Sequence, residues 1–180
     1  MHSDAWNQLR DQIIEKAVVR GKVILSSGRE ADYYVDLRRV TLDSVAAPLI
    51  GQVMRELTSD LEFDAVGGLT LGADPVATAM MHDAARSGVA LNAFVVRKSE
   101  KAHGLQRRIE GPSVTGKRVL AVEDTSTTGS SVLTAVDALA EDGATTVACA
   151  VIVDRGARAA VEERGFEYRA AYSLADLGLE

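Results

Sequence analysis

Val119-Leu-Ala-Val-Glu-Asp-Thr-Ser-Thr-Thr-Gly-Ser-Ser131 passes from an apolar run to two acids and then to a hydroxyl-rich segment. The run Val119–Val122 is apolar without alternation, the pattern of a strand buried on both faces. Glu123 and Asp124 stand at its end. Two adjacent carboxylates there are costly unless something uses them. In open parallel sheets, ligands bind beyond the carboxyl ends of the strands. Thr125, Ser126, Thr127, Thr128, Gly129, Ser130 and Ser131 are all small, and only Gly129 lacks a hydroxyl. They lead into a predicted helix, Ser130 to Glu141. Backbone N–H groups at a helix start, with the helix dipole, attract a phosphate. Gly129 lets backbone and ligand approach closely. A helix cap needs one Ser or Thr, and six such residues point to a ligand. The stretch predicts a diol-binding acid pair beside a phosphate cradle.

Outward from this stretch, apolar runs alternate with helical patterns. Strands are predicted at 65–69, 91–96, 118–122, 145–153 and 166–172, and helices at 74–86, 130–141 and 157–164. This predicts an open, mostly parallel α/β sheet with helices on both faces. Trp6, Leu9, Ile13 and Ala17 recur at helical spacing and predict an amphipathic packing helix over 3–20. Lys22–Leu25 and Asp32–Leu37 read as a hairpin with Gly28 at its turn. A helix over about 43–57 takes Asp43 or Ser44 as cap, with Pro48 disturbing its start. The stretch 98–117 has no regular pattern and predicts a functional loop or disorder. One domain over 1–180 is expected.

Composition narrows the function. The 180 residues carry a net charge of −6, which argues against general nucleic-acid binding. No apolar run reaches the roughly 18 residues that span a bilayer. No basic-then-apolar leader opens the chain, so a soluble cytoplasmic protein is expected. The single cysteine, Cys149, leaves no internal disulfide or Cys-rich zinc site, and its apolar neighbours predict a buried thiol. Arg97, Lys98, Lys101, His103, Arg107 and Arg108 form a basic cluster able to attract a polyanion. Gly67-Gly-Leu-Thr-Leu-Gly72 begins like a P-loop, but Ala73 and Asp74 replace its Lys and Ser/Thr.

The Glu123-to-Gly129 loop resembles the phosphoribosyl pyrophosphate (PRPP) motif of type I phosphoribosyltransferases. Arg97-Lys-Ser-Glu-Lys-Ala-His-Gly104 is similar to the mobile catalytic loop of the orotate phosphoribosyltransferases. Leu25-Ser-Ser-Gly-Arg-Glu-Ala-Asp-Tyr-Tyr-Val-Asp36 resembles their orotate-side hairpin, and Asp154-Arg155 matches their orotate-binding arginine. The resemblance covers the whole chain. It implies transfer of the 5-phosphoribosyl group from PRPP to orotate, giving orotidine 5′-monophosphate and pyrophosphate in pyrimidine synthesis. It assigns Arg97, Lys98, Lys101 and His103 to pyrophosphate. Glu123 and Asp124 take the ribose hydroxyls, and Thr125, Ser126, Thr127, Thr128, Gly129, Ser130 and Ser131 the 5′-phosphate. Thr127, Arg155 and one of Tyr33 or Tyr34 take orotate, with Lys101, His103 and Asp124 closest to the chemistry. Gly68 to Gly72 resembles the family's loop beside the pyrophosphate. The resemblance further implies Mg²⁺ bound mainly through PRPP, a homodimer with shared sites, and a base-side hood built from residues 1–40.

Two residues depart from the family pattern. Ser26 stands where the hairpin often has Lys, and Glu123 where the motif often has Asp. Two alternatives stay open at this point. One is a phosphoribosyltransferase for another base, and the other a PRPP-binding regulator without catalysis.

Overall fold

The computed structural model describes residues 2–24, 30–99 and 108–179. Ser3 caps the first helix, α1 (Asp4–Gln12), by accepting from Trp6 N–H at 3.1 Å. One π-helical turn, Ile13–Ala17, follows. The chain then enters β1 (Val18–Ile24), which pairs antiparallel with β2 (Glu30–Val35). The helix expected to reach Arg20 therefore ends early. Val18 and Val19 are β-branched and find ladder partners in Val35 and Tyr34. The expected turn at Gly28 lies outside the described residues.

A one-turn helix, α2 (Arg38–Thr41), precedes α3 (Ala46–Leu57). Val45, not the expected Asp43 or Ser44, is the N-cap of α3, but Asp43 Oδ1 still accepts from the Val45 and Ala46 N–H groups at 3.0 and 2.9 Å. Pro48 sits in the first turn of α3, where a missing N–H costs no intrahelical bond. Its disturbance is confined to starting the helix three residues later than expected.

The central sheet contains β3 (Ala65–Leu69), β4 (Asn92–Val96), β5 (Ile109–Glu110), β6 (Arg118–Ser126), β7 (Thr145–Asp154) and β8 (Tyr168–Tyr172). Their order is β5-β4-β3-β6-β7-β8, and all pairs are parallel except β4 with β5. The short strand β5 lies within the stretch that shows no pattern in the sequence. Helices α4 (Ala73–Arg86), α5 (Ser130–Glu141) and α6 (Arg158–Glu163) connect the strands.

Alternate residues of each strand enter different cores. Val66, Leu120, Val122, Ala150 and Ile152 pack with α1, α3 and α4. Ala65, Val119, Ala121, Cys149 and Val151 pack with α5 and α6. The sheet is thus covered on both faces, which explains its uninterrupted apolar runs. Trp6 Nε1 donates to Ala171 O and Tyr172 Oη donates to Trp6 O, both at 2.8 Å. These bonds fasten α1 to the edge strand β8. Among the described residues, no helix is long and apolar enough to cross a membrane.

Candidate active site

The chain runs from β3 through α4 to β4 in one direction and from β6 through α5 to β7 in the other. The switch point therefore lies between the carboxyl ends of β3 and β6, where open α/β sheets place their ligands. Glu123 and Asp124 sit there. They lie inside β6 rather than after it, because β6 continues to Ser126. Thr125 pairs with Val153 and Ser126 with Asp154. Ladder bonds from β7 keep these polar residues extended.

Glu123 is 5 % exposed. Burial, followed by the charge of Asp124, pushes its carboxyl well above the usual carboxylate range. Burial also raises Asp124. Each carboxylate is nonetheless held in place. Glu123 Oε1 accepts from Asp124 N–H at 3.2 Å, and Asp124 Oδ1 from Thr125 N–H at 2.6 Å. The pair is costly to leave charged, and ligand hydroxyls would stabilise the charged form by hydrogen bonding.

Ser126 Oγ accepts from Gly129 N–H at 3.2 Å and closes the turn beyond β6. Gly129 has φ +77, left-handed backbone that favours glycine. A Cβ there would also stand 3.0 Å from Val161 Cγ2. Thr127, Thr128, Ser130 and Ser131 are exposed around the start of α5. Leu133 N–H is bonded to Gly129 O at 2.9 Å, while the N–H groups of Ser131 and Val132 have no hydrogen bond among the described residues. Unbonded N–H groups at a helix start are the donors that an anion cradle requires.

The pairing of β6 with β7 also places Arg155, whose N–H donates to Ser126 O at 2.8 Å. Asp154 Oδ1 accepts from Gly156 N–H, Ala157 N–H and Tyr168 Oη, fixing the following turn. Arg155 Nε and Thr125 Oγ1 are buried without hydrogen-bond partners among the described residues. Buried donors of that kind call for a ligand or water.

In the N-terminal hairpin, Tyr33 packs against the core that also holds residues of α1. Tyr34, on the other face of β2, lies in the field of Arg38. Arg38 Nε donates to Asp36 Oδ1 at 2.8 Å, and its charge also reaches Asp124. Arg38 carries no signal in the sequence, because it stands in a one-turn helix with no repeating pattern. Arg97 reaches Glu110 Oε1 at 3.4 Å, and Lys98 is exposed. Lys101 and His103 lie outside the described residues. Arg97 and Lys98 directly follow the end of β4 at Val96.

The segment after β3 completes the wall. Gly72 lies against Glu123 and Asp124, and a Cβ on it would stand 2.8 Å from Asp124 Oδ1. The Thr70–Leu71 peptide is cis. A groove of about 820 Å³ opens on the far side of this segment, between α3 and α4, and is not the acid site itself. Among the described residues, no three His, Cys, Asp or Glu side chains are grouped to hold a metal ion.

Comparison with known proteins agrees with this fold. The phosphoribosyl transferase domain model matches residues 40–168. The orotate phosphoribosyltransferase of Streptomyces avermitilis is 63% identical over 180 residues, covering 98% of this chain and 99% of its own. The crystal structure of the Mycobacterium tuberculosis H37Rv orotate phosphoribosyltransferase in complex with Fe(III) dicitrate superposes with a TM-score of 0.89 at 58% identity, covering 97% of this chain and 99% of that one. A crystal structure of the same enzyme in complex with PRPP gives a TM-score of 0.85 at 53% identity, covering 97% and 99%.

Proposed function

Since the chain belongs to the phosphoribosyltransferase family and, within it, to the orotate phosphoribosyltransferases, we propose a division of labour among its residues for that reaction. The enzyme transfers the 5-phosphoribosyl group from PRPP to orotate, giving orotidine 5′-monophosphate and pyrophosphate. A ring nitrogen of orotate forms the bond to the anomeric carbon as the bond to pyrophosphate breaks. Positive charge develops on the ribose and negative charge on the leaving group, so positioning and preorganised charge do the catalytic work.

Glu123 and Asp124 accept hydrogen bonds from the ribose hydroxyls. Their neighbours in the turn and the first residues of α5 take the 5′-phosphate. The observation that carries this reading is the desolvated acid pair at the switch point, followed directly by outward-facing N–H and hydroxyl donors. Arg97, Lys98, Lys101 and His103 take the pyrophosphate. Arg155, Thr127 and Tyr34 take orotate, while Tyr33 packs. Support for Arg155 comes from its buried Nε without a partner among the described residues, and for Tyr34 from its place opposite the face that packs. Residues 1–40 act as a base-side hood on a single domain.

Magnesium fits this site as an ion held mainly through PRPP, because two buried carboxylates accept its charge and the ion takes few protein ligands. When bound, it neutralises part of the pyrophosphate charge. The groove between α3 and α4, with Leu42, Val45 and Leu71 exposed nearby, is the face of a homodimer. The cytoplasm is the compartment that this substrate chemistry suits. The deciding experiment follows orotate absorbance with PRPP and magnesium. A PRPP-dependent decrease with stoichiometric pyrophosphate release is expected, and no decrease with folded protein would overturn the reading.

A further inference from the structure

The Thr70–Gly72 segment lies between two parts of the molecule. Gly72 abuts Glu123 and Asp124. Leu71, exposed, and Asp74 line the groove on the other side. The segment begins anchored, since Thr70 N–H donates to Val96 O at 2.8 Å. Its far end enters α4 at Gly72, a position with no side-chain cap.

Asp74 stands in the first turn of α4, where an acid gains from the helix dipole. That gain does not explain its hydrogen bonding. Among the described residues, its carboxylate bonds to none of the free N–H groups of the helix. Oδ2 instead accepts from Thr70 Oγ1 at 2.7 Å. Oδ1 is buried without a partner among the described residues, a standing cost that a mere helix device would not need. The carboxyl is raised by burial, and its charge contributes in turn to raising Glu123. Asp74 thus lies within electrostatic reach of the acid pair without being part of it.

We propose that Asp74 is a positioning residue for the PRPP site: clasped by Thr70, it holds the Thr70–Gly72 segment against Glu123 and Asp124 and so sets where those two carboxylates stand. The proposal rests on the assignment of the acid pair to the ribose hydroxyls. The clasp is intramolecular and polar, so donor and acceptor can be removed separately and restored conservatively.

The test compares Thr70→Val, Thr70→Ser, Asp74→Ala and Asp74→Asn by steady-state kinetics, PRPP titration calorimetry and thermal melts. Thr70→Val and Asp74→Ala should each raise the KM and Kd for PRPP about tenfold, the loss of one well-made hydrogen bond. The KM for orotate should stay within about twofold. Thr70→Ser keeps a donor and Asp74→Asn keeps an acceptor, so both should return PRPP binding to within about threefold of wild type. A purely helix-stabilising role would lower the melting temperature of Asp74→Ala while leaving Thr70→Val unchanged in PRPP binding, and would overturn the proposal. Equal losses for PRPP and orotate, or failure of both conservative variants to rescue, would also overturn it. Should Asp74→Ala not fold, Thr70→Val carries the same prediction. Failure of the functional reading would appear separately, as absence of orotate turnover in the wild-type enzyme.

Discussion

Replacing Gly72 by Ala adds one methyl group at a place where the backbone would accept it. Gly72 has φ −62 and ψ −40, ordinary right-handed helical values, so no conformational strain follows. The steric consequence falls on the acid pair. The new Cβ would stand 2.8 Å from Asp124 Oδ1 and 3.1 Å from Asp124 Cγ, and closer still to Glu123 Oε1. Ordinary contact begins near about 3.5 Å, so Asp124 must retreat by roughly 0.7 Å and Glu123 by more. Neither is free to do so. Asp124 Oδ1 holds Thr125 N–H at 2.6 Å, and Glu123 Oε1 holds Asp124 N–H at 3.2 Å. Overpacking of this kind costs about 1–3 kcal/mol. In a domain of this size each kcal/mol lowers Tm by about 2–4 °C, so a fall of about 2–12 °C is expected. The catalytic loss should be larger in proportion, since misplacing reacting groups by about 1 Å costs on the order of 10²-fold. Initial rates of orotate consumption and circular-dichroism melts measure both quantities. A kcat/KM within about threefold of wild type, with Tm unchanged, would refute the placement of Gly72 against the acids.

Lys101→Ala should lower turnover about 10²-fold, as for removal of a preorganised charge-stabilising group; near-wild-type steady-state rates would remove Lys101 from the leaving-group site. Arg155→Ala should raise the KM for orotate at least about tenfold while changing that for PRPP much less, through loss of a charge-assisted contact; equal changes in both would argue against base recognition. Leu42→Glu places a charge on an exposed apolar residue of the groove between α3 and α4 and should shift sedimentation from dimer to monomer; an unchanged dimer would place the interface elsewhere. Burial pushes the Cys149 thiol up to about 12. At pH 8.5 roughly one thiol in three thousand is then ionised, so iodoacetamide should label the native protein about 10³-fold more slowly than the urea-unfolded chain. Raising the pH toward 12 should narrow that gap, and rapid native labelling at pH 8.5 would contradict the burial.

The sheet was legible where packing and periodicity agree. Ala65–Leu69 and the helix Ser130–Glu141 match their predicted bounds, because apolar strands covered on both faces and an amphipathic helix carry their environment in their composition. Legibility failed where distant partners decide. Thr125 and Ser126 have the composition of a loop, yet pairing with Val153 and Asp154 makes them strand. Val18–Arg20 continue a helical pattern, yet pairing with β2 draws them into β1. At the candidate site, the sequence places the acid pair and the hydroxyl residues together ahead of a helix start, and the structure keeps them together because they are consecutive in the chain. The position of Arg38 could not be read, since α2 is too short to have a period and its electrostatic coupling to Tyr34 and Asp124 comes from the fold. Asp74 appears in the sequence as the start of a predicted helix and as a mismatch to a P-loop. Its hydrogen bond to Thr70 depends on how the chain turns after β3.

The ladder from Glu123 to Ser126 against Val151 to Asp154, extended by Arg155 N–H to Ser126 O, has a further consequence for how such enzymes diversify. On the proposed assignment, the end that would grip the phosphorylated sugar and the end that would meet the base are adjacent strands at a fixed spacing of about 4.8 Å. Neither can slide without breaking the register that orients the other. On that assignment, exchanging the side chain at position 155 would alter the base side while the backbone register that carries Glu123 and Asp124 stays as it is.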